Sequence, residues 1–310
     1  MNLRVAHAQI RALCPADYIV DCVASYDTME LLILPGLPTP IELHAMKLND
    51  GRLERSREAR RTSPFQEQGE VWYLQRPTQE VLLYFHELES TNPGFIKIYR
   101  VDVSVDFICR NKEAAAGVGN FLEYHLRQKW HGKWQGRTYK NSRYSRPASK
   151  RRNVVFYSDR PSKITGDPCA HLEFRFNTLR KCREKGLDDL LCLAQGVDAM
   201  MLLKQETRLD VISESRFVKA LERGARTTKR QKPGFDHCDV DHLQDRVAGL
   251  VAIMMQNEEG TVVPGKPENI RTSEAFDRLK TFRGALEQIR WEEFTSPPRW
   301  VHHHCSTRSG

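Results

Sequence analysis

Two stretches of the chain set ionisable side chains at every second position of an otherwise apolar run: RVDVSVDF at 100–107 and HLEFRF at 171–176. In an extended strand, residues two apart share a face, so Asp102, Ser104 and Asp106 project together while Val101, Val103, Val105 and Phe107 project oppositely. His171, Glu173 and Arg175 alternate with Leu172, Phe174 and Phe176 in the same way. Carboxylates on a strand with an apolar back are costly to bury unless solvated, paired or bound to a cation. If the two strands are neighbours, Asp102, Asp106, His171 and Glu173 can converge on one hard divalent ion, Mg²⁺ or Mn²⁺. The alternative is that Asp106 and Glu173 pair with Arg100, Arg175 or other cations on a solvated sheet face.

Between these stretches lies a concentration of positive charge. From Arg127 to Lys163 there are twelve Lys or Arg against the single acid Asp159, so this segment is +11 in a chain whose total is +8. Arg127, Lys129, Lys133, Arg137, Lys140, Arg143, Arg146, Lys150, Arg151 and Arg152 are the expected phosphate contacts. Trp130, Trp134, Tyr139, Tyr144, Phe156 and Tyr157 are interleaved with them as flat faces on which unpaired bases can stack. Local positive charge attracts polyanions, with an affinity that falls as salt rises. Basic and aromatic together favour DNA, single-stranded or hairpin, over an acidic protein; a solvated charged loop is the bland reading.

The surrounding elements must place these residues. Strands are expected at 17–24, 29–35 and 41–48, divided by PGLPTP and NDG turns. The Arg-rich stretch 52–69 reads as a loop or short surface helix, and 71–75 as a strand. Pro77 opens a helix with Val81, Leu82, Phe85 and Leu88 at helical spacing. The clearest strand is 95–110. Asn111 then caps a helix to about Lys129, followed by the basic loop 127–163 with strands at 153–159 and 170–177 near its end. Beyond Leu187 the periods are helical, with 258–272 and 224–236 as connectors. The fold expected is α+β: an antiparallel β-sheet core with flanking helices in residues 1–185, a helical region over 186–300, and a tail over 301–310.

Composition narrows the class. No segment approaches the roughly 20 apolar residues of a membrane span, and the first residues show no signal-like apolar run, so a cytoplasmic protein is expected. Eight cysteines without a CxxC pair suit reduced thiols, mostly in the core. DHCDVDH at 236–242 and VHHHC at 301–305 hold potential ligands without zinc-motif spacing; the first reads as a helix cap and the second as a frayed end.

The order of these motifs resembles the core of the rolling-circle replication initiators of plasmids and single-stranded DNA phages. That family has an "RxDxxxD" strand, a "T-Y-x-G-S-x-x-S" segment, a "VYDK" strand and an "RxE" strand. The matching stretches here are Arg100–Asp106, Thr138–Ser145, Phe156–Arg160 and Leu172–Arg175, within about 95–180. The resemblance implies origin binding and metal-assisted nicking and religation of one strand through a phosphotyrosine, with a host helicase as a further partner. It departs from the family in one respect that bears on chemistry. The family's plasmid branch has its nucleophile on the helix after the "RxE" strand, and here that stretch has no tyrosine, because all nine lie at or before Tyr157. Tyr157, Tyr139 and Tyr144 are the candidates, with Tyr124 behind them. His171 stands where an arginine often does, and Cys182, near the family's nucleophile position, reads as structural. A non-catalytic origin- or promoter-binding protein on the same scaffold is the alternative, and a nuclease acting without a covalent intermediate is a third.

Overall fold

The computed structural model describes residues 15–35, 41–56, 69–128, 135–139, 142–146, 152–212 and 286–303. They fall into two units. One comprises 20–115, 131–202 and 297–310, so it runs past residue 185 in sequence; the other comprises 1–19, 116–130 and 203–296.

Among the described residues the first of these is built on a nine-stranded sheet. Its strands are β1 (Ile19–Ile33), β2 (Leu53–Ser56), β3 (Glu70–Gln75), β4 (Ile96–Cys109), β6 (Gln135–Tyr139), β7 (Ser142–Arg146), β8 (Arg152–Tyr157), β9 (Cys169–Phe176) and β12 (Arg299–Trp300). The order across the sheet is β2-β3-β1-β4-β9-β8-β7-β6, and β12 joins β1. The β2–β3, β1–β3, β4–β9, β8–β9, β7–β8 and β6–β7 pairs are antiparallel, whereas β12 runs parallel to β1. Helices flank this sheet, and with the helical stretches that follow β9 they give the α+β architecture with an antiparallel core. No helix among the described residues is long and apolar enough to cross a membrane.

The strand at 95–110 forms because its alternation is sustained. Val101, Val103, Val105 and Phe107 are fully buried on one face, opposite Phe176, Phe174, Leu172 and Ala170 of β9. Helix α2 (Gln79–Thr91) starts at Thr78, whose hydroxyl accepts from Val81 N, and buries Val81, Leu82 and Phe85. Phe85 meets Trp72 of β3 edge-on at 6.1 Å between ring centroids. Helix α4 (Leu179–Glu184) packs on β4. Its Cys182 is buried with its thiol on the Phe176 carbonyl, a structural role. Cys22, Cys109, Cys169, Cys182 and Cys192 are all free thiols.

Several expected elements differ. The two strands at 17–24 and 29–35 are one, β1, because β12 pairs at Val23 and Ala24 and β3 takes over at Thr28. Within β1 the alternation slips. Ser25 and Glu30, of opposite parity, both reach β4, Ser25 at Ser104 and Glu30 through the Arg100 side chain. Residues 41–48 are a helix, α1 (Ile41–Leu48), not a strand: Ile41 and Ala45 are buried one turn apart while Leu43 is 69% exposed. Part of the expected loop at 52–69 is strand β2, and 57–68 lie outside the described residues. The basic loop likewise contains β6 and β7, beside β8, which falls at the strand expected over 153–159. The continuous helical period after Leu187 breaks into α5 (Leu190–Gln195) and α6 (Ala199–Glu206) at Gly196. There φ is 91° and a Cβ would sit 2.5 Å from Trp300 Cδ1, so glycine is required. The expected helices between 213 and 285, and the 236–242 cluster, lie outside the described residues.

The other unit holds a three-stranded sheet, β11-β10-β5, of β5 (Leu126–Gln128), β10 (Thr207–Ile212) and β11 (Leu286–Ile289). Helix α3 (Lys112–His125), begun by Asn111 accepting from Ala114 N at 2.8 Å, therefore stops short of Lys129 because Leu126–Gln128 pair with β10. Leu286–Ile289, expected helical, is a strand for the same reason. Phe121 stacks at 5.0 Å on Phe294 of the short helix α7 (Trp291–Phe294).

The turn after α1 depends on Asn49, which is fully buried. Its Nδ2 donates to the carbonyls of Arg52 (3.0 Å) and Gln75 (3.3 Å), and its Oδ1 accepts from Thr78 N (3.0 Å). Asn49→Ala removes a hydrogen bond from each of three backbone groups, the buried Thr78 N among them, and a loss of about 2–4 kcal/mol of stability is expected, read as a lower urea midpoint at unchanged slope.

Candidate active site

The polar face of the central strands is assembled by register. β4 and β9 pair Asp102 with Arg175, Ser104 with Glu173 and Asp106 with His171. β8 extends the rows, placing Asn153 opposite Arg175, Val155 opposite Glu173 and Tyr157 opposite His171. The face is buried rather than solvated: Asp102, Asp106, His171 and Glu173 are each at most 3% exposed, and Glu30 is fully buried.

Charges at that depth persist only with partners. Arg100 clamps Asp102, with Nε donating to Oδ1 at 2.8 Å and Nη2 donating to Oδ2, while its Nη1 donates to Glu30 Oε1 at 2.9 Å. Arg175 donates to Glu173 from Nε at 2.5 Å and from Nη2 at 3.2 Å, and its Nε stands 3.8 Å from Asp102 Oδ2. At the other end His171 Nδ1 meets Asp106 Oδ1 at 2.5 Å, and Ser162 Oγ donates to Asp106 Oδ2 at 2.5 Å. The same Ser162 oxygen accepts from Ile164 N and Thr165 N, which fixes the loop between β8 and β9. His171 Nε2 is buried without a hydrogen-bond partner, 3.7 Å from Glu173 Oε2. The Tyr157 ring stacks on the His171 ring at 4.4 Å and 22°, with the Arg160 guanidinium 5.7 Å from the Tyr157 centroid.

Asp102 and Asp106 are four strand residues apart, about 13 Å at the usual rise. An ion coordinated at roughly 2.0–2.6 Å does not span them. The four acidic and imidazole residues thus form two stations: Asp102 among Arg100, Arg175 and Glu30, and Asp106 with His171, Ser162 and Tyr157, with Glu173 between. Among the described residues no three His, Cys, Asp or Glu groups stand in metal-holding geometry.

The electrostatics follow. Burial pushes Asp102 up to about 7, helped by the charge of Glu173 and opposed by Arg100 and Arg175. Glu173 is also buried, but the nearby His171 and the hydrogen bonds from Arg175 hold it well below the usual carboxylate range. Desolvation would lower His171, yet the hydrogen bond to Asp106 and the charges of Asp106 and Glu173 outweigh it and raise the imidazole to about 9. Burial, with Asp27, Asp106 and Glu173, raises the Tyr157 phenol well above its ordinary value.

Tyr139 and Tyr144 are placed only by register, opposite Ser142 and Val155. Arg137 is on β6, Arg143 and Arg146 on β7, Arg152 on β8, and Arg127 on β5 of the other unit. Lys129, Trp130, Lys133, Trp134, Lys140, Lys150 and Arg151 lie outside the described residues. Sequence reasoning missed Glu30 and Ser162. Neither has a local signal, since one is a lone acid in an apolar strand and the other belongs to a turn-rich loop. The tail is not frayed at its start either: Val301 N donates to Ala24 O at 2.8 Å, and His303 bridges Thr78.

A histidine raised on folding stabilises the fold in full below its unfolded value near 6.5, and that contribution is lost as pH rises through 9. For a shift of this size about 3 kcal/mol is at stake. Between pH 6.5 and 9.5 the urea midpoint of the unsubstituted chain should fall, and His171→Gln should flatten that limb; parallel curves for the two proteins would show that His171 is not the titrating group.

No protein-family model matches the chain, and no curated protein matches it. Among solved structures it is similar to the rolling circle replication initiator protein from Geobacillus stearothermophilus, with a TM-score of 0.38 and 11% identity over 61% of this chain and 87% of that chain.

Proposed function

We propose that the chain is a replication initiator that binds single-stranded or hairpin origin DNA and nicks and religates one strand through Tyr157. The observation that supports this is the stack of Tyr157 on His171 beside Asp106 and Glu173, in a sheet whose strands β7 and β6 carry Arg146 and Arg137 at register positions of that same face, Arg152 and Arg143 standing on the other. A strand held by Arg146 and Arg137 is led toward the acidic face. The Tyr157 oxygen attacks the phosphorus, the P–O3′ bond breaks, and the phenolic proton ends on the 3′-oxygen. The products are a 5′-phosphotyrosine and a 3′-hydroxyl primer, and religation is the reverse exchange, with no net change in bond type.

The raised phenol keeps Tyr157 protonated until a phosphate is in place, and the protonated His171 beside Asp106 is the neighbouring group able to give a proton to the 3′-oxygen and regain one from the phenol. Ser162 and Asp106 orient the imidazole so that Nε2 is left available toward Glu173. A divalent cation would displace the Nε2 proton of His171, and on that condition His171 and Glu173 are the residues that would hold Mg²⁺ or Mn²⁺, with Asp106 behind them. Such a cation supplies charge neutralisation at the scissile phosphate. Asp102, closed by Arg100, acts on the site through Arg175.

The second reading is origin binding without cleavage. It is favoured by the guanidinium clamps on Asp102 and Glu173 and by the difficulty of ionising Tyr157. A host helicase is a partner expected under either reading.

Incubating the protein with a labelled oligonucleotide and Mn²⁺, then running a denaturing gel, separates the two. The initiator reading expects a covalent adduct that Tyr157→Phe eliminates, and cleavage at least a hundredfold slower in Glu173→Gln with DNA affinity changed by less than about threefold. Undiminished cleavage by Glu173→Gln refutes the assignment, and cleavage without an adduct moves it to a nuclease.

A further inference from the structure

Beside the Asp106 station is a corner that the nicking chemistry does not use, built from four segments distant in sequence. Asn49 ties the turn ending at Arg52 to the end of β3. Just beyond, Arg76 is held at φ 48°, its N–H donating to Asp27 O at 2.8 Å. A non-glycine residue in the left-handed region is strained, and such strain persists where surrounding bonds over-determine it, often at ligand sites. Asp27 on β1 is paired with Lys163, the residue after Ser162. The C-terminal segment closes the corner, with Val301 bonded to Ala24 and His303 bridged to Thr78.

Cations gather there. Arg52, Arg76 and Lys163 all act on His303, and burial together with these cations lowers its imidazole to about 4. His303 is therefore neutral at physiological pH and offers one N–H and one lone pair. The facing carboxylates are Asp27, committed to Lys163, and Asp106, committed to His171 and Ser162. Among the described residues no carboxylate pairs with Arg76, which is half-buried. A half-buried arginine without a carboxylate, near Lys163, suits a singly or doubly charged oxyanion.

We infer that this corner is a backbone-phosphate site, in which Arg76, supported by Arg52, Lys163 and His303, grips a nucleic-acid phosphate next to the Asp106–His171 station. Its position suits it to fix the register of the strand relative to Tyr157, since Lys163 and Ser162 are adjacent in one loop. The identity of the ligand as nucleic acid rests on the functional reading above; the preference for an anion rests on the corner's own charges.

The test is anisotropy of a labelled single-stranded oligonucleotide with the full chain across a salt series, using Arg76→Ala, Arg76→Gly and, as an exposed control, Arg180→Ala. Both Arg76 variants are expected to bind about tenfold more weakly, with a salt slope reduced by about 0.7, the value for one phosphate on a single strand. Arg76→Gly removes the backbone strain, so it should melt no lower than the unsubstituted chain while still losing affinity, which separates binding from folding. Arg76 variants that match Arg180→Ala in affinity and slope overturn the inference. If the unsubstituted chain binds no oligonucleotide, the DNA reading itself is lost. Pyrophosphate titration then decides the corner: binding that Arg76→Gly abolishes upholds an oxyanion site, and no binding ends it.

Discussion

Four carboxylates are buried on one face of the central sheet, and the requirement that each have a cation or donor at hydrogen-bond distance organises the rest. Glu30, Asp102, Asp106 and Glu173 come from three neighbouring strands, and Arg100, Arg175, His171 and Ser162 answer them. Unpaired, a carboxylate at that depth would protonate or unfold the site. Register is thereby fixed twice: once by the apolar side, where a one-residue slip would expose Val103, Val105 and Phe174, and once by the ion pairs. Buried ion pairs are weak as net stabilisers, but strong at excluding arrangements that leave one partner alone.

The same requirement explains the irregularities around the face. β1 brings both Ser25 and Glu30 to bear on β4 despite their odd and even positions. Gly196 ends α5 and leaves room for Trp300, whose ring meets Tyr26 at 4.6 Å, and the Tyr26 hydroxyl donates to Leu193 O. This seats β12 along the part of β1 that β3 leaves uncovered.

The long alternating strands were legible because their signal is local and repeated: 96–109 and 169–176 fall within a residue or two of expectation. The helix starts at Thr78 and Asn111 were legible too, since a cap is read from a few adjacent residues. Shorter segments were not. Ile41–Leu48 satisfies either period over eight residues, and burial of Ile41 and Ala45 on one side decided for helix. Leu286–Ile289 took its conformation from pairing with Leu209–Ile212, which no local propensity encodes. Gln135–Tyr139 and Ser142–Arg146 pair as strands where charge alone suggested a solvated loop.

By itself the sequence determined which residues share the polar face, because alternation with period two needs no knowledge of neighbours. It also determined that the chain's positive charge is concentrated in one segment and that no tyrosine follows Tyr157. Only the tertiary structure decided which acid meets which base. The β4–β9 register set Asp106 against His171 and Asp102 against Arg175, about 13 Å apart along the sheet, and so turned one expected cluster into two stations. It also chose Tyr157 as the tyrosine stacked on His171, and brought His303, Lys163 and Arg76 into one corner from opposite ends of the chain. Those pairings depend on distances between segments remote in sequence, and such distances exist only once the sheet has closed around them.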